Sequence, residues 1–174
     1  MKPITEKHTS ESIALELRRW FDYDQENGGF IWRARPAHSK AQIGSRAGRG
    51  DTMGYQMIRV FGQSYKTHRL VWVWHKGAWP AAQLDHINMD KMDNRIENLR
   101  EAEAWQNNAY RSSPVRDLPR GVIRKKRGKL RAVIASRGKT IELGGFDTVE
   151  QAQAAYKAAS LELHGEFSII ARPD

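Results

Sequence analysis

The chain of 174 residues has no cysteine. That excludes disulfides and thiolate zinc sites, and it agrees with a reducing cytosolic compartment. No apolar run reaches the length of a bilayer span, and residues 1–20 lack the apolar centre of a signal peptide. We therefore expect a cytoplasmic protein with no membrane partner. Acidic residues are scarce in one place. Residues 111–139 hold eleven Lys/Arg and a single Asp, a net of +10, whereas residues 1–110 net +3 and residues 140–174 net −4. The overall +9 is thus one contiguous block, and its mixture with strand-forming residues favours a polyanion partner.

Periodicity gives a helix from Ser10, with Ile13, Leu17, Trp20 and Phe21 on one face and Ser10 as cap. Asn27-Gly28-Gly29 reads as a turn into a short strand over 29–33, and 34–52 as a long surface loop. Residues 54–61 alternate as a strand. Gly62-Gln-Ser64 turns the chain back into a second strand over 65–74, whose Leu70, Trp72 and Trp74 share one face. Beyond a Ser/Pro stretch at 111–119, strands are expected near 121–124, 130–135 and 139–143. A helix follows, opened by the capping-box spacing of Thr148 and Gln151, and Val149, Ala152, Ala155, Tyr156, Ala159 and Leu163 form its small-residue face.

Between the two halves lies Asp85-His86, followed by a turn-rich run of Asn and Asp, then Asn98, then a helical-looking 101–110. Asn88, Asp90, Asp93 and Asn94 read as turn formers bonding their own backbone. Asp85 is a hard oxygen ligand, and His86 can exchange a proton near neutral pH. A strand–loop–helix unit would bring Asn98 and Asn107 back towards that pair. Hydrolysis of a phosphodiester needs a deprotonated water and charge stabilisation on the phosphate, and such a unit is suited to supply both.

His68-Arg-Leu-Val, Asp85-His86 and Asp93-Asn-Arg-Ile-Glu-Asn-Leu-Arg100 resemble the HNH (ββα-metal) nuclease family, in particular its phage and intron-encoded homing endonucleases. The resemblance covers roughly residues 50–110. It implies that Asp85 and Asn107 hold one Mg²⁺ (or Mn²⁺) per active site and that His86 is the general base. It also implies that Asn98 holds the loop and orients His86. Asn107 stands where many members have a His. By the same match His68 and Arg69 are expected to meet the substrate.

Residues 120–168 resemble the Apetala-two/ethylene-response-factor DNA-binding domain, through Arg120-Gly-Val122, Gly128-Lys129, Ala132-Val-Ile134, Leu143-Gly-Gly-Phe-Asp-Thr148 and Ala152 through Tyr156 to Gly165. That resemblance implies a sheet that meets DNA, with Arg120, Arg124, Lys125, Lys126, Arg127, Lys129, Arg131, Arg137 and Lys139 as contacts. Ile123, Arg127, Val133, Ala135, Thr140 and Glu142 depart from the plant members' contact residues.

The expected fold is α+β, with a nuclease domain over 1–110, a linker over 111–119 and a DNA-binding domain over 120–170. The expected function is a homing-type endonuclease on double-stranded DNA, monomeric and without a protein partner, in the host-cell cytoplasm if phage-encoded. The rival is a DNA-binding regulator with an inactive HNH fold.

Overall fold

The computed structural model describes residues 8–37, 39–109, 117–125, 128–168 and 170. The chain is α+β and forms two compact units, Met1–Glu101 and Ala102–Asp174.

In the first unit, α1 (Ser10–Trp20) is capped by Thr9, whose hydroxyl accepts from Ser12 N at 3.2 Å, one residue earlier than the sequence suggested. Its Ile13, Ala14 and Leu17 are buried. The chain runs straight into β1 (Phe21–Tyr23), which pairs antiparallel with β2 (Phe30–Trp32) so that Phe21 faces Trp32 and Tyr23 faces Phe30. Residues 34–52 are less irregular than expected. They bridge Arg46 to Ile31, bury Ala47 completely, and supply β3 (Arg49–Gly50) to a sheet with β4 (Gln56–Val60) and β5 (Gln63–Lys66). Phe61 and Gly62 both have positive φ, the geometry of a two-residue type I′ hairpin.

The expected strand over 65–74 is corrected. Only the part up to Lys66 is extended, and Thr67–Lys76 is a helix, α2. Trp and Val favour strands by propensity, but packing overrides it. Thr67, Leu70, Val71 and Val73 are fully buried together, a face that only a helix presents. Gly77 stops the helix in the left-handed region at φ 70°, its N–H donating to Val73 O at 2.9 Å. One core therefore joins α1, α2, β2 and β4 through Leu17, Phe21, Phe30, Ile58, Leu70 and Val73. Against it run β6 (Gln83–His86) and β7 (Leu99–Ala102), which form a two-stranded sheet.

The helix expected from 101 begins later, as α3 (Ala104–Ala109), because Leu99–Ala102 is committed to β7. The unit boundary falls before α3, whereas the sequence reading put it in the Ser/Pro stretch, of which 110–116 lie outside the described residues. In the second unit, β8 (Val122–Arg124), β9 (Leu130–Ser136) and β10 (Lys139–Phe146) form an antiparallel sheet in the order β10-β9-β8, with α4 (Val149–His164) on one face. The capping box of Thr148 and Gln151 is present. Ala152, Tyr156, Ser160 and His164 form the buried stripe of α4, and Val122, Leu130 and Ala132 meet it from the sheet side. α3 rests on β9, with the Trp105 ring 6.0 Å from that of His164.

One glycine couples the β1–β2 turn to the loop after β6. Gly28 has φ 67°, and a Cβ there would collide with the Asn94 and Arg95 backbone. Gly44 also has positive φ, at 84°, but faces open space. Gly44→Ala is expected to cost only the left-handed strain, about 1 kcal/mol, and Gly28→Ala about 2 kcal/mol or more because backbone must also move. Urea denaturation of both variants checks this; equal losses would show that the Gly28 contact is not tight.

Candidate active site

β6 ends on Asp85-His86, and the chain then makes a twelve-residue excursion before β7 returns beside it. Ile87 N donates to Asn98 O at 2.9 Å, closing the base of the excursion. Within it, the Asn and Asp residues bond locally. Asn88 Oδ1 accepts from Asp90 N (2.9 Å), Asp90 Oδ1 accepts from Met92 N (2.9 Å), and Asp93 takes a bidentate contact from Arg95 at 2.8 and 2.7 Å. The Arg95 bonds hold the Asp93 carboxyl at about 2, well below the usual range. Asn98 fastens the excursion from inside. Its Oδ1 accepts from Asn88 N at 3.0 Å, and its Nδ2 donates to Asn88 Oδ1 at 2.9 Å and to Asp93 O at 2.8 Å.

The resemblance implies that Asn98 orients His86; the amide seen against the His86 ring is that of Asn94. Asn94 is completely buried, and its Oδ1 lies 3.2 Å from His86 Nε2. Asn94 bonds its own backbone as a turn former does, Nδ2 on Met92 O at 3.1 Å, and its side chain also reaches across to β4, with Nδ2 on Gln56 Oε1 at 3.3 Å. Neither Asn94 nor Gln56 was singled out from the sequence. An Asn amid other turn residues carries no local mark of burial, and a Gln in an alternating strand reads as a solvent position. The signal was there in Gln56 falling on the strand's inward face with Ile58 and Val60.

His86 is only 5% exposed. Burial pushes its pKa below 6.5, against the opposing pull of the Asn94 hydrogen bond and of Asp85, Asp90 and Asp93, so the ring is neutral at pH 7. The His68 ring stands edge-on to it with centroids 5.0 Å apart, and Tyr55 lies 5.4 Å from His68. His68 itself is 5% exposed, in the first turn of α2. Its desolvated position, beside His86, Lys66 and Arg69, holds its pKa down at about 2. Arg69 is half-buried, with its guanidinium 5.4 Å from the Trp79 ring centre.

Asp85 is nearly buried and paired. Arg100, on β7, donates Nε (3.1 Å) and Nη2 (3.0 Å) to its Oδ2. Asn107 lies on α3, its N–H donating to Glu103 O at 3.1 Å, and is described with the second unit. Among the described residues no three His, Cys, Asp or Glu side chains gather to hold a metal. A carboxylate and an amide are hard oxygen donors, so they fit a Mg²⁺-like ion bound mostly by water and phosphate and do not fit a thiophilic one. A cleft of about 660 Å³ in the first unit, between Trp20, Trp32, Ile58 and Arg59, is not lined by Asp85, His86 or Asn98.

On the second unit Arg124, Lys125, Lys129, Arg137 and Lys139 are exposed at the two hairpin ends, while Arg120 and Arg131 are half-buried. Glu142 holds Arg131 at 2.7 Å and Lys125 at 3.6 Å. Lys126 and Arg127 lie outside the described residues.

Residues 65–109, from β5 through α3, match the HNH endonuclease family model. Over 85 residues, 49% of this chain, the sequence is 33% identical to an uncharacterized HNH endonuclease of Acanthamoeba polyphaga mimivirus. The chain spans less than half of that relative, 44% of its length. No solved structure matches. The segment that carries Asp85, His86, Asn98 and Asn107 is therefore HNH-endonuclease-like. Among the described residues no helix is long and apolar enough to cross a membrane.

The buried histidines predict acid lability. Unfolded His68 takes a proton near pH 6.5, while the folded residue refuses it until about 2. Its contribution is therefore complete above pH 6.5 and is lost as pH falls, by about 1.4 kcal/mol per unit at most. His68→Phe should keep the ring packing and flatten this acid limb by about one proton, read from urea midpoints between pH 4 and 7. An unchanged slope would show that His68 is accessible.

Proposed function

We propose that the chain is a divalent-metal-dependent DNA endonuclease with His86 as general base. The observation that carries this reading is a neutral, buried imidazole held by a side-chain amide next to a carboxylate, at the end of a strand in an HNH-like segment. His86 takes a proton from the water that attacks the phosphodiester. One P–O bond forms to that water oxygen and another breaks to release the leaving oxygen. The Asn98 staple fixes the loop, so that the His86 ring and its amide partner keep one geometry. By the HNH resemblance Asp85 and Asn107 would be the oxygen donors to Mg²⁺ or Mn²⁺, which when bound supplies charge stabilisation to the phosphate. Arg100 neutralises Asp85 and holds its carboxylate in one orientation.

The second unit is the proposed DNA-binding module. The antiparallel sheet β8–β10 with α4 on one face supports the reading drawn from the Apetala-two resemblance, and its exposed Lys and Arg stand at the ends of the sheet. The pairing of Arg131 and Lys125 with Glu142 leaves Arg124, Lys129, Arg137 and Lys139 as the phosphate-contacting set. A homing-type role for a monomer, in a phage-infected cell's cytoplasm, rests on the resemblance; the matched relative belongs to a giant virus.

Purified protein incubated with supercoiled plasmid should nick it with Mg²⁺ and not with EDTA. His86→Ala should lower the rate 10²–10⁴-fold with DNA affinity unchanged, the usual contribution of a positioned base. Cleavage within tenfold of wild type would remove His86 from that role, and DNA binding without any nicking in Mg²⁺ or Mn²⁺ would favour the regulator reading.

Arg124→Ala/Lys129→Ala should lower DNA affinity and flatten the dependence of log K on log salt by nearly 2, at about 0.9 per phosphate contact. The metal requirement should not change. An unaltered slope would move the phosphate contacts away from this sheet.

A further inference from the structure

We propose that Gln56 and Asn94 are positioning residues that set the tautomer of His86 through a hydrogen-bond relay anchored on the backbone of Ala47. The inference rests on the reading of His86 as the base and names what prepares it. Each link in the relay has a direction. Ala47 O is a carbonyl and only accepts, and Gln56 Nε2 lies 2.8 Å from it, which fixes the Gln56 amide with its oxygen pointing away. That oxygen, Oε1, then requires a donor and receives Asn94 Nδ2 at 3.3 Å. The same Nδ2 gives its second hydrogen to Met92 O at 3.1 Å. With both amide hydrogens of Asn94 committed, only its Oδ1 remains to face His86 Nε2, at 3.2 Å. A carbonyl oxygen there needs a hydrogen on Nε2. Neutral imidazole has one such hydrogen, so Nδ1 keeps the lone pair and is the atom that accepts a proton from water.

The relay is walled in. Gln56 is 4% exposed and Asn94 0%. Three glycines with positive φ crowd it. Gly28 lies on the Asn94 backbone, while a Cβ on Gly29 or Gly48 would come within 3.3 Å of Gln56 Oε1 or Cγ. A reversed Gln56 amide would leave Ala47 O facing another oxygen. The cost of such a buried mismatch is what holds the imidazole to one tautomer.

The test reads tautomers directly, in the full-length protein labelled with ¹⁵N-histidine, by two-bond ¹H–¹⁵N correlation at pH 7.5 without metal. Wild-type His86 is expected to show a single form, protonated on Nε2, with a slowly exchanging Nε2–H. In Asn94→Leu and Gln56→Leu that hydrogen should exchange rapidly and the ring should move towards the mixture found in free imidazole. Turnover at saturating DNA should fall at least tenfold in Gln56→Leu, with DNA affinity unchanged. A mixture or an Nδ1–H form in wild type overturns the relay, whatever the protein cleaves, and this arm needs no variant to fold. A single Nε2–H form combined with full cleavage by His86→Ala would instead sink the base assignment and leave the relay standing. The two failures are thus distinguishable.

Discussion

Three hydrogen bonds from the Asn98 side chain convert the excursion after β6 from a run of turn-formers into one fixed loop. Everything chemically interesting nearby inherits its position from that closure. Asn94 sits four residues before Asn98 and is carried inward by it; His86 sits just before the loop begins. Without the staple, each Asn and Asp of the run would satisfy its own backbone in several local ways. With it, they share one arrangement, and the Arg95 fork on Asp93 seals the outer edge.

The charge distribution divides the labour between the two units. The excess of Lys and Arg falls beyond residue 110, while the first unit spends its charged groups on internal pairs, Arg100 with Asp85 and Arg95 with Asp93. Burial lowers the pKa of His86 and, more strongly, of His68. A site that must accept a proton gains from such an interior, because a charged imidazole has nothing left to accept.

Elements with a strong local signature were legible in the sequence: α1, the β1–β2 turn at Asn27-Gly28-Gly29, the three strands of the second unit, and the α4 capping box. The Asp85-His86 pair was found because it breaks an apolar run with two chemically active residues. α2 was misread because Val and Trp alternate over the same residues that recur at three- and four-residue spacing, and short apolar runs satisfy both periods. Gly77 following His75-Lys76 was the sign of a helix end that could have decided it. Asn94 and Gln56 were missed for a different reason. Their importance arises from a meeting of residues 38 positions apart, of which the inward face of β4 at Gln56 was the one local mark.

The contact of Gly28 with the Asn94–Arg95 backbone joins segments more than sixty residues apart, and that has a kinetic side. Closing so long a loop is slow compared with forming the helices and hairpins around it, and it occurs only when both ends are already shaped. The β1–β2 turn must therefore be in place before the segment after His86 can settle. A chain released from the ribosome up to residue 90 already contains both Asp85 and His86, yet it lacks the residues that lean on Gly28. The Gly28 contact is thus among the last in the first unit for which the growing chain supplies both partners.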